Sequence, residues 1–233
     1  MWSNICAAAR IVEMRPSRFK YERECLACGC TRVGGADEAG RGPLAGPVVA
    51  AVVCLPQEWI LKGLPRKLQG LNDSKQLTEK ERQRFFEFLR SSPLVSSAIA
   101  VVDVGVIDTI NILRASLRAM NEALLQLAEM PDHVLVDGPY IFSARCPQTP
   151  LIDGDAKSFS IAAASVLAKV TRDRLMAEYH EAFPHYGFRE HKGYSTPQHL
   201  EALAKFGPCD LHRRTFAPCR PANAPEAQPQ LFM

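Results

Sequence analysis

Four acidic residues stand where the chain's own punctuation places the ends or the interior of regular elements: Asp37, Glu38, Asp137 and Asp173. Asp37 and Glu38 close the run Val33-Gly34-Gly35-Ala36 and precede a glycine- and proline-rich turn through Gly40, Gly42 and Pro43. Asp137 ends a second strand-like run, His133 to Val136, with Gly138-Pro139 behind it, and Asp173 falls inside a long helical stretch. If the two strands are neighbours, their acids meet at one edge of a sheet. Strand alternation would send Asp37 and Glu38 to opposite faces unless the strand stops there, which a glycine turn permits. Clustered carboxylates repel one another, and a hard divalent cation such as Mg²⁺ is the usual remedy. Two such ions roughly 4 Å apart can activate a water and stabilise the leaving oxygen of an in-line phosphoryl displacement. That is nuclease chemistry. Taken singly, each acid reads equally well as an ordinary turn residue, because Asp beside Gly is a common turn signal; only the set favours the metal.

The elements that must position these acids are legible in outline. Val33–Glu38 and the apolar run Gly46–Leu55 suggest an antiparallel pair, the second strand buried on both faces. Thr78 followed by Glu81 is a capping box, and Arg82, Phe85, Phe86 and Leu89 then recur at helical spacing, predicting about three turns that end near Pro93. Ser97 to Val104 is a short β-branched run, and Ile107 to Met130 repeats apolar residues at Ile110, Leu113, Leu117, Met120, Leu124 and Leu127. Ser160 to Ala182 reads as one long helix, rich in alanine where another element could approach closely, and Thr196-Pro197 is an N-cap with proline at the first helical position. Strands first, then helix and strand in alternation, describe an α/β protein. Residues 1–30 are weakly patterned and are expected to extend outside the core, and the proline- and alanine-rich stretch 218–233 is expected to be a loose tail.

Composition sets wider bounds. With 233 residues, 47% of them hydrophobic and 23% charged, the chain is an ordinary globular protein with one principal domain, neither disordered nor membrane-embedded. A net charge of +3 means that any affinity for nucleic acid must come from basic residues gathered on one face. The first thirty residues are broken by Arg10, Glu13, Arg15, Arg18, Lys20 and Glu22, which argues against a secretory signal, and no eighteen-residue apolar span occurs, so the expected location is the cytoplasm. Reduced thiols are expected for the eight cysteines, with Cys54 inside an apolar run. Cys25, Cys28 and Cys30 could form half of a zinc site, but Cys209, His212 and Cys219 do not match a common spacing for the other half. Scattered free thiols are the preferred reading.

The motif Asp37-Glu38-Ala39-Gly40-Arg41-Gly42, with Gly35 before it and Pro43 after, is followed in order by Asn72-Asp73-Ser74-Lys75-Gln76-Leu77-Thr78, Val136-Asp137-Gly138, Gly154-Asp155-Ala156-Lys157, Ala162 through Asp173, and His191-Lys192-Gly193-Tyr194. This succession resembles the type 2 ribonuclease H (ribonuclease HII) family, over roughly residues 31–217. The resemblance implies a ribonuclease-H-like mixed β-sheet flanked by helices, with a C-terminal helical portion. It implies an endonuclease that hydrolyses the RNA strand of RNA–DNA hybrids and nicks 5′ of single ribonucleotides embedded in duplex DNA. The implied chemistry is two-metal hydrolysis with Mn²⁺ or Mg²⁺, leaving 3′-hydroxyl and 5′-phosphate ends, and Asp37, Glu38, Asp137 and Asp173 would be the metal-binding and catalytic acids. Gly40, Arg41 and Gly42 would read the ribonucleotide junction, where the 2′-hydroxyl separates RNA from DNA. Tyr194 would lie against the deoxyribose that follows, and Lys75 and Lys157, ahead of Lys169 and Arg172, would touch phosphates. Ser195 and Thr215 depart from the family pattern, and bear only on loop geometry near Tyr194.

Gln228-Pro229-Gln230-Leu231-Phe232, near the end of the chain, resembles the short peptide by which bacterial repair and replication proteins engage the sliding clamp. Gln228, Leu231 and Phe232 would fill a pocket while the linker tethers the enzyme to DNA. Two rivals stand beside the nuclease. The sister type 3 ribonuclease H usually carries a folded N-terminal domain, for which thirty residues are too few. A catalytically silent hybrid-binding module of the same fold is disfavoured by the presence of all four acids. A monomer is the default expectation.

Overall fold

The computed structural model describes residues 17–140 and 145–220. In chain order its elements are α1 (Lys20–Ala27), β1 (Val33–Ala39), β2 (Val48–Cys54), α2 (Gln57–Lys62), α3 (Glu79–Ser91), β3 (Ser96–Val102), α4 (Val104–Ile110), α5 (Ile112–Leu125), β4 (His133–Asp137), β5 (Gln148–Leu151), α6 (Gly154–Lys157), α7 (Phe159–Ala182), α8 (Phe188–His191) and α9 (Pro197–Phe206). The five strands form one mixed sheet in the order β3-β2-β1-β4-β5. β1–β2 and β2–β3 are antiparallel, whereas β1–β4 and β4–β5 are parallel.

Helices cover both faces of this sheet, and β2 shows why. All seven of its residues, Val48 to Cys54, are buried. Val49, Ala51 and Val53 point into a core with the alanines of α7 and with Phe85 and Leu89 of α3, while Val48, Ala50 and Val52 point into a second core with Ala115, Ala119, Met120 and Leu124 of α5. A strand apolar on both sides is the expected signature of a sheet covered on both faces. Truncating a fully buried residue such as Phe85 would cost about 3–5 kcal/mol. Helix α7 lies closest to the sheet. Gly35 of β1 touches it so nearly that a Cβ there would collide with the backbone of Ser160 and Ile161. Ser158 caps this helix, accepting from the Ile161 N–H at 3.1 Å.

The capping box is present: the Thr78 hydroxyl accepts from the Glu81 N–H while the Glu81 carboxylate accepts from the Thr78 N–H. Thr196 caps α9, with Pro197 at its first position. Two expectations need correction, and one strand was not anticipated. The apolar repeat from Ile107 to Met130 is two helices, broken at Asn111, whose φ of 69° no continuous helix allows and whose side chain instead caps α5 by accepting from the Arg114 N–H. Strand β5, with Pro150 in it, carried no clear pattern; it forms an edge of the sheet, where proline is tolerated. Finally, the described residues before position 31 do not lie outside the core. Phe19 is buried among residues of α7 and α3, and the Glu22 carboxylate, fully buried, accepts from the Ser158 hydroxyl at 2.6 Å and the Ser160 N–H at 3.1 Å. Among the described residues, no helix is long and apolar enough to cross a membrane, and Cys25, Cys30, Cys54, Cys146, Cys209 and Cys219 are in no disulfide.

Candidate active site

Parallel pairing of β1 with β4 matches Ala36 to Val136, so that Asp37 and Asp137 are the next residues of two adjacent strands running in the same direction. Their side chains stand on the same face at the same level. The Asp37 carboxylate accepts from the Glu38 N–H at 2.6 Å, and Asp137 accepts from the Gly154 N–H at 2.7 Å, which ties β4 to the start of α6. Glu38 forms an ion pair with Arg41 at 3.3 Å. Burial, then the neighbouring charges of Glu38 and Asp137, pushes Asp37 well above the usual carboxylate range. Burial also raises Glu38, against the pull of Arg41 and with a further push from Asp137. With Asp37 and Glu38 both raised, and the charge of Asp137 contributing to each, the group is short of positive charge.

Two more acids belong to this neighbourhood. Asp155 of α6 is pushed up to about 6 by burial, by the charges of Asp73 and Asp137, and by a hydrogen bond with the Asp73 side chain. Both lie in motif blocks from which sequence reasoning had singled out only the lysines. Lys75 faces the same group: burial pulls its proton affinity down, but Asp73, Asp155, Asp37 and Asp137 outweigh it, and the net shift is upward. Lys157 is exposed and donates to the Ile152 carbonyl at 2.6 Å. Asp173 is engaged with Lys169 one turn earlier in α7, at 2.8 Å, and no hydrogen bond or ion pair to the other three acids is found for it among the described residues. Among those residues, no three His, Cys, Asp or Glu side chains are set in a ready-made metal cage.

Beside the acids, the Gly40-Arg41-Gly42 turn and the Tyr194 loop face each other. Gly40 has φ +102°, and a Cβ there would run into the Arg172 guanidinium and the Pro47 carbonyl. Gly42 has neither restriction: the nearest atom to a Cβ there is Cε1 of Tyr194, at 3.7 Å. Tyr194 itself is 45% exposed, enough to offer its ring to a partner. Arg172 was expected to contact phosphate, but it is buried, its guanidinium spent on the carbonyls of Ala45, Pro47 and Lys192. Arg213, also buried, donates to the carbonyls of Gly40, Arg41, Gly46 and Pro47. Sequence alone gave no sign of either role.

Below Tyr194 runs a chain of buried imidazoles. The Cys209 N–H donates to His212 Nδ1 at 3.0 Å, His212 and His199 meet through their Nε2 atoms at 3.0 Å, and His199 Nδ1 meets the Tyr194 carbonyl at 2.9 Å. A backbone donor at one end and a backbone acceptor at the other assign the protons: His212 is the Nε2–H donor to His199, and His199 donates from Nδ1 to Tyr194.

The ribonuclease HII family model matches residues 34–219. The chain therefore belongs to the ribonuclease HII family. Among curated members it is 49% identical to the ribonuclease HII of Geobacter metallireducens over 209 residues, covering 90% of this chain and 94% of that protein. It is 48% identical to that of Ruminiclostridium cellulolyticum over 207 residues, 89% and 78% of the two chains. Among solved structures, the ribonuclease H2 of Pyrococcus horikoshii aligns with TM-score 0.66 at 28% identity, over 81% of this chain and 95% of that one. The ribonuclease HII of Archaeoglobus fulgidus, solved in complex with PCNA, aligns with TM-score 0.64 at 27% identity, over 78% and 93%. As a ribonuclease HII family member with the ribonuclease H fold, the chain is a hydrolytic endoribonuclease acting on RNA–DNA hybrids. The mixed sheet flanked by helices agrees with the fold that the motif order implied.

Proposed function

We propose that this ribonuclease cuts hybrids and also nicks 5′ of a single ribonucleotide embedded in duplex DNA. The observation that carries this reading is the open approach at Gly42, opposite the exposed ring of Tyr194 and next in sequence to the Glu38–Arg41 ion pair. A glycine that neither backbone conformation nor packing requires keeps a path clear for a sugar, and a backbone group can then meet its 2′-hydroxyl without a side chain in the way. The Tyr194 ring offers a flat surface to the next sugar, and Lys75 and Lys157 supply phosphate contacts. The whole turn Gly40-Arg41-Gly42 is thus the junction reader.

Asp37, Glu38 and Asp137, with Asp173 as the fourth acid, would hold Mn²⁺ or Mg²⁺. Their fit rests on the mutual repulsion of the three neighbouring acids, which a cation would relieve, and on all-oxygen donors, which suit these hard ions. When bound, two such ions supply activation of the attacking water and stabilisation of the 3′-oxygen leaving group, giving 3′-hydroxyl and 5′-phosphate ends. The chain's own part is to fix the acids: the β1–β4 register aligns Asp37 with Asp137, the Gly154 N–H orients Asp137, and Arg41 holds Glu38.

The deciding experiment incubates a duplex bearing one ribonucleotide with wild type and Asp37→Asn, in Mn²⁺ or Mg²⁺. Nicking by wild type alone is expected. Binding without nicking by wild type would favour the silent hybrid-binding module. Gln228, Leu231 and Phe232 lie outside the described residues, and their proposed role is to dock a sliding clamp. The Archaeoglobus relative solved with PCNA lends that reading support. A peptide of residues 218–233 should bind the cognate clamp by fluorescence polarisation, and no binding would remove the proposal. The working form proposed is a cytoplasmic monomer.

A further inference from the structure

Arg172 and Arg213 are 1% and 0% exposed, and among the described residues neither forms an ion pair with a carboxylate. A buried charge normally has a counter-charge, because desolvation is costly. Here each guanidinium is met by main-chain carbonyls instead. Arg172 donates from Nε to Pro47, from Nη1 to Lys192 and from Nη2 to Ala45, each at 3.0 Å. Arg213 donates from Nε to Gly46 at 3.1 Å and from Nη1 to Arg41 at 2.9 Å, while its Nη2 is shared by Gly40 at 2.5 Å, Gly46 at 2.9 Å and Pro47 at 3.3 Å. The two forks thus converge on Pro47 and reach outward to opposite sides: Arg213 grips the Gly40-Arg41 carbonyls, and Arg172 grips the base of the Tyr194 loop.

The backbone knits the same three segments. The Leu44 N–H donates to Gly193, the Arg213 N–H to Leu44, and the Gly46 N–H to Leu211, all at 2.8 Å. Gly193, with φ +83°, lies so near the Ala45 carbonyl that a Cβ would collide with it. The Phe216 ring covers the outer face of the Arg213 guanidinium, 5.1 Å away. Only a planar fork with five fixed donors can serve so many carbonyls from one side chain; a lysine ammonium keeps the charge and loses the geometry.

We propose that Arg172 and Arg213 are positioning residues that lock the Gly40–Pro47 segment to the Tyr194 loop, and that this register sets discrimination for an embedded ribonucleotide over a continuous hybrid. The proposal rests on the reading of Gly40–Gly42 and Tyr194 as the junction-reading elements. A continuous hybrid offers ribose at every step, so a shifted register still meets a 2′-hydroxyl; a single ribonucleotide offers one, and a shift misses it.

The test compares kcat/KM of wild type, Arg213→Lys and Arg172→Lys on a duplex with one ribonucleotide and on a continuous RNA–DNA hybrid, with native-state hydrogen exchange across residues 40–47 and 192–194. The lysine variants should lose single-ribonucleotide nicking at least about tenfold more than hybrid cleavage, a difference of about 1.4 kcal/mol in transition-state discrimination. Equal loss on both substrates, or no loss in a folded variant, would overturn the proposal. In wild type the two segments should open as one unit with a shared denaturant dependence; independent opening would also overturn it, and this arm holds even if the variants do not fold. Should wild type fail to nick the single ribonucleotide at all, the junction-reading assignment falls, while joint or separate opening still decides whether the arginines lock the two segments.

Discussion

Gly42 looks directly at Tyr194: a methyl grown on that glycine would meet the ring's Cε1 at 3.7 Å and nothing nearer. Gly40, two residues earlier, sits in left-handed backbone against Arg172. The two glycines therefore separate function from folding. Gly42→Ala should leave stability within about 0.5 kcal/mol of wild type and still reduce nicking at a single ribonucleotide by about tenfold or more. Gly40→Ala should cost about 1–3 kcal/mol in stability, from the strained φ and the collision. Thermal melts with paired cleavage assays distinguish them; equal destabilisation by both would defeat this assignment.

The crowded acids make a pH prediction whose sign is fixed. Asp37, Glu38 and Asp155 all bind protons more tightly in the fold than in an unfolded chain, Asp155 moving from 3.8 to about 6. Between the ordinary and raised values the native state carries more protons, so stability contributed by these groups declines as pH rises through that window. In EDTA, Asp37→Asn should fall less in melting temperature than wild type between pH 5 and pH 8. Adding Mn²⁺ or Mg²⁺ should restore wild type more than the variant, by about 2.7 kcal/mol once the ion is a hundredfold above its Kd. Identical metal effects on both proteins would show that Asp37 is not a ligand.

The buried imidazoles have the opposite sign. Burial, then the neighbouring His199, lowers His212 from 6.5 to about 4, so in the native protein it stays neutral where the unfolded chain would already be protonated. Its contribution to stability is complete above the unfolded value and is lost as pH falls from 6.5 toward about 4. Nitrogen-resolved NMR should show His212 holding one proton, on Nε2, at pH 6. A normal titration near 6.5 would contradict the chain of hydrogen bonds that ends on the Tyr194 carbonyl.

Glu22 tests the unexpected part of the core. Its buried carboxylate accepts from Ser158 and Ser160 at the start of α7. Glu22→Ala strands both donors away from water and should destabilise by about 1–3 kcal/mol per unsatisfied group. A melting temperature equal to wild type would mean that α1 contributes little to the fold.

Much of the architecture was legible because hydrophobic period and cap chemistry are local. β2 announced itself as an uninterrupted apolar run, α3 by the box at Thr78 and Glu81, and α7 by its alanines. Asp37 and Asp137 were visible because each lies near a strand end; β4 does stop at Asp137, but β1 runs on through Glu38 to Ala39 instead of ending at its acids, and the β1–β4 pairing supplied the adjacency that sequence could only suppose. What stayed hidden depends on distant partners. The break at Asn111 leaves the apolar spacing almost undisturbed on either side. Phe19 and Glu22 carry no periodic signal, because their partners in α7 lie more than a hundred residues away. Arg172 and Arg213 look like surface charge until the fold wraps carbonyls around them, and Asp155 looks like a turn residue until Asp73 is brought to its side.

Gly35 carries no functional group, yet it sets the spacing between the strand of Asp37 and Glu38 and the helix of Asp173 and Arg172, since α7 rests on it backbone to backbone. A single added methyl there would act as a wedge, tilting one half of the proposed acidic site away from the other while leaving every side chain chemically intact. The most sensitive point of such a fold can therefore be its plainest residue, where bulk alone decides whether strand and helix still meet.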